Sequence, residues 1–253
     1  MGERDEELPA VGDSTSRTQD ARGLVVAIDG PSGSGKSTVS RRVAAALGVR
    51  YLDTGAMYRA LTWWALDQDV DLADAAAVAD LARRLPLVMV QDPEQPRVLV
   101  GEVDVTAAIR ETRVSEAVSA VATNLDVRAE LVRRQRELIA AAVEETGGAV
   151  AEGRDITTVV APQAPVRILL TADESARLAR RAREVHGEDS AEALAATRAQ
   201  VVVRDAKDST VSQFLAPADG VVEIDSSHLG VDEVVAAVLA QVERVAPGLA
   251  AGR

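Results

Sequence analysis

Short apolar runs alternate along the chain with longer stretches in which apolar residues recur at helical spacing. Leu24-Val25-Val26-Ala27-Ile28-Asp29 reads as a buried strand of a parallel sheet. A glycine-rich turn follows, then a helix over residues 36–47 with Gly48 placed to cap its C-terminus. Residues 49–52 predict a second strand, 54–67 a second helix, and 72–85 an alanine-rich helix closed by Pro86. The style then changes. Leu87-Val88-Met89-Val90, Val98-Leu99-Val100 and Val103-Asp104-Val105 are short β-type runs broken by Asp92-Pro93 and Gly101, which predicts a small antiparallel insertion. Helices over 115–122 and 126–145 lead out of it. Strands over 149–152 and 166–171, helices over 174–185 and 191–203, a strand over 221–225 and a helix over 232–245 complete the pattern.

Strands alternating with helices predict an α/β fold, a parallel sheet covered on both faces. Residues 1–22 are polar and charged with almost no apolar pattern, and read as a disordered tail; 23–245 form the domain, and 246–253 a C-terminal tail. Trp63 and Trp64 are neighbours and cannot both face the core of one helix, so at least one of them is expected to pack.

Composition narrows the chemistry. The 253 residues suffice for one α/β domain with a small insertion. With no cysteine, disulfides, thiolate metal sites and cysteine nucleophiles are excluded, and His186 and His228 alone cannot build a histidine metal cluster. No apolar run has the length of a membrane span and the N-terminus lacks a signal-peptide core, so a cytoplasmic location is expected and no membrane partner. A net charge of −12 argues against nucleic acid as a partner, though a local arginine cluster can still receive phosphate. A monomer is expected. Among the 28 basic residues only Lys36 and Lys207 are lysine, which singles out Lys36 as a place that needs a compact ammonium.

Lys36 closes the run Gly30-Pro31-Ser32-Gly33-Ser34-Gly35-Lys36-Ser37, which fits G-x-x-x-x-G-K-[ST] between a predicted strand and a predicted helix. Backbone N–H groups of such a turn, with Thr38 just inside the helix, point at phosphate oxygens, and the helix N-terminus adds partial positive charge. Lys36 would reach the β- and γ-phosphates of ATP, and the Ser37 hydroxyl would contact Mg²⁺. No N-K-x-D tetrapeptide for guanine is present. The strand ending in Glu152 runs into Gly153-Arg154-Asp155, and a basic residue there suits an anionic second substrate better than a hydrolytic water. A small-molecule kinase is the expected class.

Three further motifs carry a family resemblance. Leu52-Asp53-Thr54-Gly55-Ala56-Met57-Tyr58-Arg59, Glu152-Gly153-Arg154-Asp155 and Arg204-Asp205-Ala206-Lys207-Asp208-Ser209 resemble, in order and spacing, those of bacterial cytidylate kinases. The resemblance spans about residues 25–245 and implies the P-loop nucleoside monophosphate kinase fold. That fold has a five-stranded parallel sheet, a monophosphate-binding insertion at about 70–125 and a helical lid at about 173–212. It implies transfer of the γ-phosphoryl group of ATP to CMP or dCMP. Arg59 and Arg154 resemble clamps on the CMP phosphate, with Thr54 beside the nucleotide. Ser119 and Arg128 resemble contacts to the cytosine ring, and Asp155 the acceptor for its exocyclic amino group. Arg204 and Asp208 resemble the pair at the phosphate–sugar end.

Arg177, Arg180 and Arg181 share one helix side by i,i+3 and i,i+4 spacing; as a charge run they read as a solvated face, and by resemblance as lid arginines closing over ATP phosphates. Two departures stand out. Thr157 occupies a position where the family often has glycine, a costly exchange if the backbone there needs a positive φ. The run Asp208-Ser209-Thr210-Val211-Ser212 lacks a family arginine and is shorter, and Arg180 or Arg181 are the residues placed to replace that contact. The alternatives are a kinase for UMP or AMP, and a non-enzymatic protein that uses ATP to switch shape.

Overall fold

The computed structural model describes residues 23–188 and 190–248. The tail expected over 1–22, and residues 249–253 of the expected C-terminal tail, lie outside the described residues. Five strands, β1 (Leu24–Asp29), β2 (Arg50–Asp53), β6 (Gly148–Gly153), β7 (Val166–Thr171) and β8 (Val222–Asp225), form one sheet in the order β2-β6-β1-β7-β8 with every pairing parallel. The insertion is a separate antiparallel sheet of β3 (Leu87–Val90), β4 (Arg97–Val100) and β5 (Val103–Asp104).

Strand alternation decides which side chains meet which helices. Val26 and Ile28 of β1, Tyr51 of β2 and Val150 of β6 point into one apolar cluster, completed by α1 (Lys36–Leu47) and α8 (Val231–Val245). Ala27, Leu52, Ala149 and Ala151 face the other way. They meet α2 (Thr54–Asp67), α3 (Ala75–Arg84), α4 (Thr112–Ala122) and α5 (Leu125–Thr146) in a larger cluster that also takes Val98 and Val100 of β4. Alanines on that face let the long α5 approach β6 closely. The helices α6 (Glu174–His186) and α7 (Ala191–Asp208) pair with each other, and α7 leans on α4.

Caps explain the boundaries that differ from expectation. The expected helix over 72–85 starts at Ala75, because the Asp74 carboxylate accepts the Ala77 N–H at 3.0 Å. Asn124 caps α5 in the same way through the Asp126 and Val127 amides. The helix expected to end at 203 runs on to Asp208, which puts Arg204, Asp205 and Asp208 on its last turns. Apolar periodicity fades there, and helix continues because the charged side chains find partners across the cleft. A 3₁₀ turn at Ala108–Arg110 and a π turn at Ile156–Val160 were not expected.

Two side-chain expectations need correction. Trp63 and Trp64 both pack against the larger core, since α2 is enclosed by α3, α4, β4 and β6 and presents apolar surface on several sides. Thr157 carries no strain: Asp69 is the only non-glycine with positive φ among the described residues, and Thr157 instead lies in the π turn bonded to Asp29.

Candidate active site

The phosphate cradle forms where β1 ends and α1 begins. Gly33 (φ 78°) lies in the left-handed region, and a Cβ there would stand 2.5 Å from the Arg177 carbonyl oxygen. A Cβ on Gly30 would stand 2.2 Å from the Leu170 carbonyl oxygen. Only glycine fits both the turn and these approaches. Lys36 is half-buried beneath the loop with Nζ donating to the Pro31 carbonyl at 2.8 Å. Burial pushes its pKa down to about 8, against the opposing pull of the Glu152 carboxylate. The Ser34 hydroxyl is buried with no hydrogen-bond partner among the described residues, an open donor in the cradle.

Behind the cradle, Asp29 ties it to the turn that follows β6. Its carboxylate accepts the Ile156 and Thr157 amides at 2.9 and 2.8 Å and the Thr157 hydroxyl at 2.6 Å. Burial nevertheless raises its pKa to about 6. At the end of β6, Glu152 accepts from the buried Tyr51 hydroxyl, with the Ser37 side chain beside it. Burial, with the charge of Asp53 next in size, raises the Glu152 pKa to about 7.

The arginines arrive from separate elements. Asp53 caps α2 through the Ala56 amide and holds Arg59 Nη2 at 2.8 Å. Thr54 donates to the Glu152 carbonyl at 2.8 Å. Arg128 of α5 pairs with Asp155, and Ser119 of α4 donates to Asp208 at 3.2 Å. Arg154 gives Nη1 to Asp205 at 2.8 Å and lies 3.2 Å through Nε from Asp208. Arg204 stands 3.6 Å from the same Asp208 oxygen, and its Nε is buried without a hydrogen-bond partner among the described residues, as is that of Arg59. Burial, then the nearby charges of Arg154 and Arg59, lowers the Arg204 pKa to about 10. These open donors in a cationic setting fit phosphate oxygens.

The α6 arginines are not a solvated face. Arg177 donates to the Ser32 carbonyl at 3.0 Å and to Asp205 at 2.5 Å. Arg180 donates to the Ser226 carbonyl at 2.6 Å and its hydroxyl at 2.9 Å. A cavity of about 600 Å³ opens over Gly33–Thr38 and is walled by Arg59, Arg110, Arg154, Arg180, Arg181 and Arg204. A narrower cleft of about 50 Å³ is lined by Thr54, Arg128, Asp155 and Asp208, and Arg154 and Arg204 line both spaces. Gly30, Pro31 and Ser119 line neither of these two spaces; Ser119 reaches the narrower cleft only through Asp208.

Asp29, Tyr51, Asp53, Arg110, Asp205 and Phe214 were not among the expected functional residues. Asp53 could have been found, because an aspartate before a predicted helix is an N-cap signal. The others act across the chain and leave no local mark.

A glycine-turned anion cradle between strand and helix of a five-stranded parallel sheet, opening on an arginine-walled cavity, defines a P-loop phosphotransferase of the small-molecule kinase kind. The sequence model of cytidylate kinase matches residues 26–244, and the chain belongs to that family. It is 46% identical over 221 residues to the cytidylate kinase of Streptomyces griseus subsp. griseus, covering 87% of this chain and 93% of that protein. It is 48% identical over 227 residues to the cytidylate kinase of Rhodococcus jostii, covering 89% and 97%.

Proposed function

We propose that this protein transfers the γ-phosphoryl group of ATP to CMP or dCMP, giving CDP or dCDP and ADP. The observation that carries this reading is that Arg154 and Arg204 line both the cavity over the cradle and the narrower cleft. Two anionic substrates bound in these spaces would meet at cations common to both.

The cradle amides, the N-terminus of α1 and Lys36 hold the β- and γ-phosphates. Ser37, whose hydroxyl lies against Glu152, offers an oxygen-only setting that fits a hard cation, and would hold Mg²⁺. The ion, when bound, neutralises charge on the phosphate oxygens. Arg59 and Arg154 clamp the CMP phosphate, and Arg204 with Asp208 holds the phosphate–sugar end. An oxygen of the CMP phosphate attacks the γ-phosphorus in line; it is already anionic, so no general base is required. Arg180 and Arg181 stabilise the charge that develops on the transferring group. Catalysis rests on positioning and charge.

Asp155, held by Arg128, accepts the exocyclic amino group of cytosine, and Ser119 stands one hydrogen bond away through Asp208. A carboxylate there favours the cytosine donor over the uracil carbonyl. Residues from about 70–125 supply the monophosphate wall and residues from about 173–212 the lid that excludes water. Among the described residues no helix is long and apolar enough to cross a membrane, which is consistent with action in the cytoplasm.

A coupled ADP-release assay with CMP, dCMP, UMP, AMP and dTMP tests the reading. CMP and dCMP are expected to be the best acceptors; equal or faster turnover of AMP or dTMP overturns it.

A further inference from the structure

Phe214 is the only phenylalanine in the chain. It lies in the segment between α7 and β8 and is fully buried, yet it belongs to neither of the two apolar clusters that form the core of the described residues. What it meets is a cation. The guanidinium carbon of Arg154 stands 4.6 Å from the centre of its ring.

The same guanidinium is fixed at its edges by Asp205 on Nη1 and Asp208 near Nε. A planar cation with a ring on its face and two carboxylates along its edge has little rotational freedom left. Nη2 takes part in neither of those edge contacts, and Arg154 lines both spaces. Aromatic faces attract guanidinium through the ring quadrupole, most strongly where water is excluded. Phe214 is excluded from solvent, with Arg154 16% exposed above it. An arginine aimed before the substrate arrives loses less freedom on binding it.

We propose that Phe214 is a positioning residue: its ring fixes the plane of the Arg154 guanidinium so that the free donors face the acceptor phosphate. The segment that lacks the family arginine after Ser209 thus serves the monophosphate side by orienting a cation instead of adding one. The proposal rests on the assignment of Arg154 to that phosphate.

Because Phe214 is the sole phenylalanine, biosynthetic replacement of phenylalanine by mono-, tri- and pentafluoro analogues alters this ring alone, weakening its quadrupole while nearly keeping its shape. KM for CMP is expected to rise stepwise along the series, by about five- to twentyfold at its end, with KM for ATP within about twofold. Phe214→Leu should match the last member. An unchanged KM for CMP across the series, or a parallel rise for both substrates with a falling Tm, overturns the proposal. If Phe214→Leu does not fold, the fluorinated series decides. A second measurement uses no nucleotide: the Arg154 Nε–H resonance should be shifted by the ring current of Phe214 and lose that shift in Phe214→Leu. An unshifted resonance overturns the proposal even where CMP is turned over. Absence of CMP turnover in the unmodified protein overturns the assignment of function, and the resonance still decides whether the ring orders Arg154.

Discussion

The two halves of the cleft are built on opposite plans. The cradle is eight consecutive residues, Gly30 to Ser37, shaped by backbone and completed by one lysine whose Nζ donates to a neutral carbonyl. The proposed monophosphate side draws Thr54 and Arg59 from α2, Ser119 from α4, Arg128 from α5, Arg154 and Asp155 from beyond β6, and Arg204 and Asp208 from α7. Its arginines come with carboxylates: Arg59 with Asp53, Arg128 with Asp155, Arg154 with Asp205 and Asp208. The difference teaches how each half tolerates its own charge. One half-buried ammonium can be carried by loop dipoles and the charge of nearby carboxylates at the cost of a lowered pKa. Several converging guanidiniums would repel one another, and the interleaved aspartates hold them together and in register before any anion arrives.

The contrast sets the size of the expected effects. Lys36→Ala removes the only side-chain cation of the cradle motif, and a loss of about 10²–10³ in kcat is expected with the fold retained by circular dichroism. Near-normal kcat would break the comparison at its first member. On the other side, removal of one partner should redistribute specificity more than rate. Asp155→Ala is expected to lower kcat/KM for CMP about ten- to hundredfold while sparing UMP, since under the proposed function it deletes a charge-assisted acceptor for the cytosine amino group. A parallel loss for both nucleotides would mean that Asp155 serves only to hold Arg128.

The smallest effect sits where the halves touch. Glu152, beside both Ser37 and Tyr51, has its pKa raised from 4.5 to about 7. A carboxyl whose pKa is raised by folding adds stability at low pH that is lost as pH climbs through the folded value. Tm should therefore carry a component that declines between about pH 4.5 and pH 7, and Glu152→Gln should remove it. Equal pH slopes in the two proteins would show that Glu152 ionises freely.

Much of this molecule can be read from local pattern. β1, α1, α2 and β7 lie where the alternation of apolar and polar residues puts them, and the cradle follows from glycine, lysine and serine at fixed spacing between strand and helix. Both are short-range: the physics that makes them, φ freedom at Gly33, dipoles at the start of α1 and periodic burial, acts within a few residues. The family motifs further named the arginines.

Tertiary structure alone decided the partners. That Thr157 bonds Asp29, that α7 continues to Asp208, that Asp205 joins Ser32, Arg154 and Arg177, and that the single phenylalanine lies under Arg154 all depend on residues between 28 and 173 positions apart. A buried charge or aromatic face takes its meaning from whatever the fold brings within a few ångströms, and sequence spacing carries no record of that distance.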